Sequence, residues 1–264
     1  VAESLRGSAV GLPPGIIACL FDLDGVLTST AELHALAWKT CFDEYLARRA
    51  KRTGAEFRPF DLVSDYDDYV DGKPRLAGAR SFLRSRGIDL PEGSPADPVD
   101  AETLYAIANA KTALVESLIA ERGVRPYPGS VRFVEAVLAA GLRTAVVSSS
   151  AHARTILAAA GLADRVDVVV DGEDIARRGL AGKPAPDTFL AAAGDLGVTP
   201  SQAAVFEDAQ AGVAAGRAGR FGVVVGVDRA GQAEALLAAG ADLVVTDLAE
   251  LLGRVPSDGG DSRL

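Results

Sequence analysis

From residue 143 onward the chain alternates short Val-rich runs with helix-length segments, and this alternation constrains the fold more than any other feature. Strands are expected at residues 143–147, 166–170, 203–206, 221–227 and 242–245. Helices are expected at 151–160, 186–196, 209–218, 232–239 and 248–252. The strand-like runs are near-continuous and Val-rich, as strands covered on both faces should be. Gly161 and Gly197 follow two of the helical segments as stop signals. Strands and helices in strict alternation build a parallel sheet with helices on both sides. The expected fold class is therefore α/β, a Rossmann-like parallel sheet covered by helices.

The apolar run at 16–21 reads as one more buried strand, preceded by Pro13, Pro14 and Gly15. It runs into Asp22-Leu23-Asp24-Gly25. Asp22 falls at the carboxyl end of this strand, and Gly25 lets the chain turn just after Asp24. Ligands of open α/β sheets bind at that edge. The segment 31–125 differs: 31–51, 75–86 and 101–121 look helical, no strand is convincing, and 91–98 is a polar, Pro-rich loop. It reads as a helical cap, residues 30–125, inserted into a core made of residues 1–29 and 126–264. Residues 256–264 read as a frayed tail.

Composition narrows the function. A net charge of −9 disfavours a broad nucleic-acid or anionic-membrane surface. The two cysteines, Cys19 and Cys41, read as reduced core thiols. No apolar stretch approaches the ~20 residues of a membrane span, and residues 1–15 lack a secretory pattern. The expectation is a cytoplasmic protein, monomeric by default, with no nucleic-acid or membrane partner.

Four chemically loaded features follow strands of the α/β part: Asp22 with Asp24, Ser148, Lys183, and Glu207 with Asp208. Each has a bland reading alone. Asp24-Gly25 is a common turn, serines cap helices, Lys183 could be a solvated loop lysine, and Glu207-Asp208 could serve only a helix dipole. Together they bring acids, a hydroxyl and a cation to successive positions along one sheet edge. A hydroxyl and free N–H groups before a helix hold phosphate, and clustered carboxylates suit Mg²⁺.

This ordered set resembles the four motifs of the haloacid dehalogenase superfamily, and the likeness covers essentially the whole chain. It implies that Asp22 attacks phosphorus to form an aspartyl phosphate and that Asp24 is the general acid and base. It also implies Mg²⁺ held by Asp22, the backbone carbonyl of Asp24, and Asp208, with Glu207 in support. Ser148 and Lys183 would offset charge on the transferring phosphoryl group. Dehalogenation itself is disfavoured, because those enzymes carry no acid at the position of Asp24.

The cap segment 30–38, Gly72-Lys73-Pro74-Arg75, Lys111, Tyr127-Pro128-Gly129, 182–187 and 207–212 are similar to the β-phosphoglucomutase branch of that superfamily. The branch implies interconversion of β-D-glucose 1-phosphate and D-glucose 6-phosphate through a β-glucose 1,6-bisphosphate intermediate. Arg75 would bind the non-transferring phosphate, and His34 and Lys111 would couple cap closure to Asp24. Gly72, Trp38, Ser149, Ser150 and His152 complete the expected phosphosugar contacts, although Trp38 suits cap core better than a sugar platform. Asp71, Ser149, His152 and the long loop 87–100 depart from the branch pattern. A phosphatase acting on a small sugar phosphate needs the same four motifs, and a non-catalytic binding protein on this fold is a third reading.

Overall fold

The computed structural model describes residues 6–254. Among the described residues, six parallel strands form one sheet: β1 (Ala18–Phe21), β2 (Arg143–Val147), β3 (Val168–Val170), β4 (Ala203–Glu207), β5 (Val223–Val227) and β6 (Leu243–Val245). Their order is β3-β2-β1-β4-β5-β6. The helices are α1 (Ala31–Thr53), α2 (Arg75–Ser85), α3 (Leu104–Arg122), α4 (Pro128–Ala139), α5 (Ala153–Ala159), α6 (Gly172–Arg178), α7 (Asp187–Leu196), α8 (Gln210–Ala218) and α9 (Ala233–Ala239). Two compact units result, one of Val1–Ser29 with Arg125–Leu264 and one of Thr30–Val124.

In the first unit, alternation along β1 and β4 sends successive side chains to opposite faces. Leu20 and Val205 join Phe189 of α7 and Val213 of α8 in one apolar layer. On the other face Phe21 stacks on Phe206 at 4.7 Å, and Phe133 of α4 meets both rings edge-on. All three rings are fully buried, and each contributes about 1.5–3 kcal/mol through apolar burial. These two layers fix β1 against β4, and so fix everything at their carboxyl ends.

Among the described residues, the second unit is helical and has no strand. Trp38, Phe42, Tyr45 and Leu46 line one side of α1 at helical spacing and join Phe60, Phe82, Leu104 and Ile107 in a core. Trp38 stacks on Phe42 at 4.9 Å.

Several boundaries differ from the sequence reading for local reasons. The third cap helix begins at Leu104 rather than 101, because the Thr103 side chain accepts the N–H of Ala106 and caps the helix there. Helix α6 was not expected. It is one short turn-pair opened by a capping box between Asp171 and Asp174 and closed at Gly179 with φ 64°. Residues 248–252 form a 3-10 helix, Leu248–Gly253, instead of an α-helix. The tail expected at 256–264 lies outside the described residues. Burial pushes both the Cys19 and Cys41 thiols up, Cys41 to about 11, so neither is a ready nucleophile. Among the described residues no helix is long and apolar enough to cross a membrane.

Candidate active site

Register decides which side chains converge. Phe21 is paired with Phe206 in the β1–β4 ladder and with Val146 in the β1–β2 ladder. The residue after Phe21 therefore lies beside Glu207, and Ser148 lies just beyond the β2 end. The strand order reverses direction between β1 and β4, which is the crevice where doubly wound sheets place ligands.

Asp22 donates its backbone N–H to the Phe206 carbonyl at 2.9 Å, so the ladder continues into the loop after β1. Its Oδ1 accepts from Lys183 Nζ at 2.5 Å. Lys183 also donates to the Val147 carbonyl at 3.0 Å and forms an ion pair with Glu207. Lys183 is 2 % exposed and Glu207 is fully buried, which removes the solvated-lysine reading. One ammonium thus sits between two carboxylates. Burial pushes the Asp22 carboxyl up, against the pull of Lys183. Burial likewise raises Glu207, to about 8. Burial disfavours the Lys183 ammonium, but Asp22 and Glu207 outweigh it and hold the amine charged.

After Asp22 the chain closes a tight loop. Gly25 N–H donates to the Thr28 carbonyl at 2.7 Å, and the Leu23 carbonyl accepts from Leu27 and Thr28 N–H groups. Gly25 has φ 88°, and a Cβ there would collide with the Asp208 carboxylate. Glycine is required at this point by both the backbone and the space. At Gly212 space alone requires glycine, because a Cβ would strike the Glu207 carboxylate. Asp24 Oδ2 lies 3.5 Å from Ser148 Oγ. Ser148 is buried, and its hydroxyl accepts the N–H of Ser150 at 3.1 Å. Ser150 Oγ in turn accepts the N–H of His152 at 3.2 Å. Ser149 borders the same turn, where its carbonyl packs against Gly172.

Asp22, Glu207 and Asp208 each offer an oxygen, all within 4.8 Å of one another. Three buried acid groups share a single lysine, and burial raises the carboxyls of Asp22 and Glu207. An all-oxygen donor set short of positive charge fits a small, hard divalent cation.

The remaining candidates lie in the helical unit. Lys111 Nζ is 2.7 Å from His34 Nδ1, both residues are buried, and the ammonium lies 5.3 Å from the Trp38 ring centroid. Arg75 opens α2 and donates to Thr112 Oγ1 at 2.9 Å. Gly72, with φ 69°, forms the turn before it. Sequence reading missed two residues of the first unit. Gln232 donates to the Asp208 carbonyl at 3.1 Å, and Arg229 donates to the Gly25 carbonyl at 3.1 Å. Both are far from the motifs in sequence, and nothing in the residue pattern announces them.

Comparison with known proteins bears on the fold and the family. The family model for haloacid dehalogenase-like hydrolases matches residues 16–220. A "Beta-phosphoglucomutase" of Mycobacterium tuberculosis is 58 % identical over 94 % of this chain and 96 % of its own. The "Fructose-1-phosphate phosphatase YqaB" of Escherichia coli is 32 % identical over 75 % of this chain and 90 % of its own. The crystal structure of a β-phosphoglucomutase from Clostridium difficile superposes with a TM-score of 0.69 at 27 % identity, covering 89 % of this chain and 93 % of that one. On the span of the family match and the level of identity, this chain belongs to the haloacid dehalogenase-like hydrolase family.

Proposed function

We propose that this protein is a Mg²⁺-dependent phosphosugar mutase that interconverts β-D-glucose 1-phosphate and D-glucose 6-phosphate. The observation that carries the proposal is the buried Asp22–Lys183–Glu207 cluster beside Asp208, in a chain 58 % identical to a β-phosphoglucomutase. In this reading an Asp22 carboxylate oxygen forms a bond to phosphorus as the sugar oxygen leaves. Asp24 gives that oxygen its proton, then takes a proton from the hydroxyl that receives the phosphoryl group. The Lys183 ammonium and the Ser148 hydroxyl face charge that grows on the phosphoryl oxygens during transfer. Asp22 and Asp208 would hold Mg²⁺ with the Asp24 carbonyl, supported by Glu207, and the bound cation would supply positive charge at the transferring group. The two buried thiols suit a reducing compartment, so we place the activity in the cytoplasm.

Isomerisation requires the bisphosphate intermediate to return its other phosphate, so a second anion site is needed. Arg75 is the candidate, because its planar fork matches phosphate and its donor to Thr112 fixes one end. The pairing of Lys111 with His34 suits a role in closing the cap. We expect Arg75→Ala to weaken use of β-glucose 1,6-bisphosphate by about tenfold or more, the size of one lost charged hydrogen bond. A small monophosphate ester should be hydrolysed as before. Equal losses on both in steady-state kinetics would reject Arg75 as the distal site.

A second reading is favoured by the 32 % identity to a fructose-1-phosphate phosphatase. There water, rather than a sugar hydroxyl, takes the phosphoryl group from Asp22. The products separate the two. With β-glucose 1-phosphate, Mg²⁺ and a trace of bisphosphate, a mutase yields glucose 6-phosphate in excess of free phosphate. A phosphatase yields glucose and free phosphate.

A further inference from the structure

The loop between β5 and α9 reaches both acid-bearing loops of the site, and no motif covers it. Asp228 shapes this loop by accepting N–H groups from Ala230 at 3.1 Å, Gly231 at 2.7 Å and Gln232 at 2.9 Å. From it, Gln232 holds the Asp208 carbonyl and Arg229 holds the Gly25 carbonyl. The Arg229 guanidinium uses its other edges as well. It donates to the Thr246 carbonyl at 2.6 Å and to Ser130 Oγ at 3.4 Å, and lies 3.5 Å from Asp247 Oδ2. Its flat face covers the Tyr127 ring at 3.8 Å. Ser130 adds a bond of its own to the Val26 carbonyl at 2.7 Å, and Tyr127 N–H donates to the Leu27 carbonyl at 2.9 Å. The turn that follows Asp24 is thus gripped at Gly25, Val26 and Leu27, and Arg229 joins all the gripping parts.

We propose that Arg229 is a positioning residue whose guanidinium, by fixing the Gly25 carbonyl, sets the Asp24 carboxyl in place for proton transfer. This rests on the reading of Asp24 as the general acid and base. A planar cation with several donors in fixed directions can hold a carbonyl, a hydroxyl and an aromatic face at once, and no other side chain offers that combination. The side chain is only 19 % exposed, so its bonds do not exchange freely with water. Gly25 is also the residue whose missing Cβ makes room for the Asp208 carboxylate. Asp22 is anchored separately by its bond to the Phe206 carbonyl and Asp208 by Gln232 at its carbonyl, so loss of the Arg229 bond falls first on the Asp24–Gly25 turn.

The choice of phosphoryl donor separates positioning of Asp24 from general support of the fold. When Asp22 attacks a sugar phosphate, the P–O electron pair goes to an alkoxide, which must be protonated as it leaves. When it attacks acetyl phosphate, the pair goes to acetate, a stable anion that needs no proton. The experiment measures steady-state turnover of β-glucose 1-phosphate and single-turnover acetate release from acetyl phosphate, both with Mg²⁺. It compares wild type, Arg229→Ala, Arg229→Lys and Asp24→Asn. For Arg229→Ala we expect about a 100-fold loss with the sugar phosphate and less than about threefold with acetyl phosphate. Arg229→Lys keeps charge and one donor but not the fork, and should recover about tenfold of that loss. It carries the same test if the alanine variant does not fold. Equal slowing of both donors, or no slowing of either, overturns the proposal. Asp24→Asn serves as the reference for the split. If it fails to separate the donors, the acid–base reading of Asp24 falls, and the positioning role of Arg229 falls with it.

Discussion

Asp22→Asn is expected to abolish turnover, with a loss of about 10⁵-fold or more, the scale seen when a covalent nucleophile is removed. Asparagine has the same shape and can still accept from Lys183, so the far-UV spectrum should match wild type. Its amide is a poor nucleophile and a poor ligand for a cation. Burial pushes the native carboxyl up, and the Lys183 ammonium opposes that push. An acid perturbed by burial and a specific charge partner is the pattern that functional sites carry. Steady-state assays with β-glucose 1-phosphate and with acetyl phosphate check the loss. A normal rate with either donor would remove Asp22 as the nucleophile.

Lys183→Met is expected to damage both activity and stability. Methionine fills a similar volume but leaves the Asp22 and Glu207 carboxylates buried together without the ammonium. Breaking a buried ion pair from one side costs about 3–5 kcal/mol, so the urea midpoint of the metal-free protein should fall sharply. Turnover should drop by about 10²- to 10³-fold, the range for losing one preorganised charge beside an oxyanion. Added Mg²⁺ should restore more stability to the variant than to wild type, because the acids then have only the cation to offset them. An unchanged urea midpoint would contradict the charge arrangement described for this site.

The sheet and the identity of its edge residues were legible because they rest on local patterns. Val-rich runs such as 143–147 and 223–227 are short, apolar and bounded by helix signals, and they form strands wherever a doubly covered sheet exists. Asp22 and Ser148 were legible as positions after strands and Glu207 as the end of one, whereas Lys183 follows helix α6 rather than the strand the sequence reading put before it. That Lys183 lies between Asp22 and Glu207 was not legible, since it depends on register across β2, β1 and β4. Helix α6 escaped because it starts at Gly172, a poor helix former, and is held by the Asp171–Asp174 capping box instead of by an apolar stripe. Arg229 and Gln232 escaped for a related reason. Their partners, Gly25 and Asp208, are backbone carbonyls 204 and 24 residues away. A carbonyl has no sequence identity, so a bond to one leaves no trace in the residue pattern.

The central claim is that the carboxyl of Asp22 takes the phosphoryl group. It is tested most directly by mixing the protein with Mg²⁺ and acetyl phosphate, quenching in acid, and mapping the added phosphate by peptide mass spectrometry. The account predicts one phosphate, on the peptide containing Asp22, lost on hydroxylamine treatment and absent from the Asp22→Asn variant. Phosphate on another residue, or turnover of donor with no adduct at Asp22 at any quench time, would contradict it.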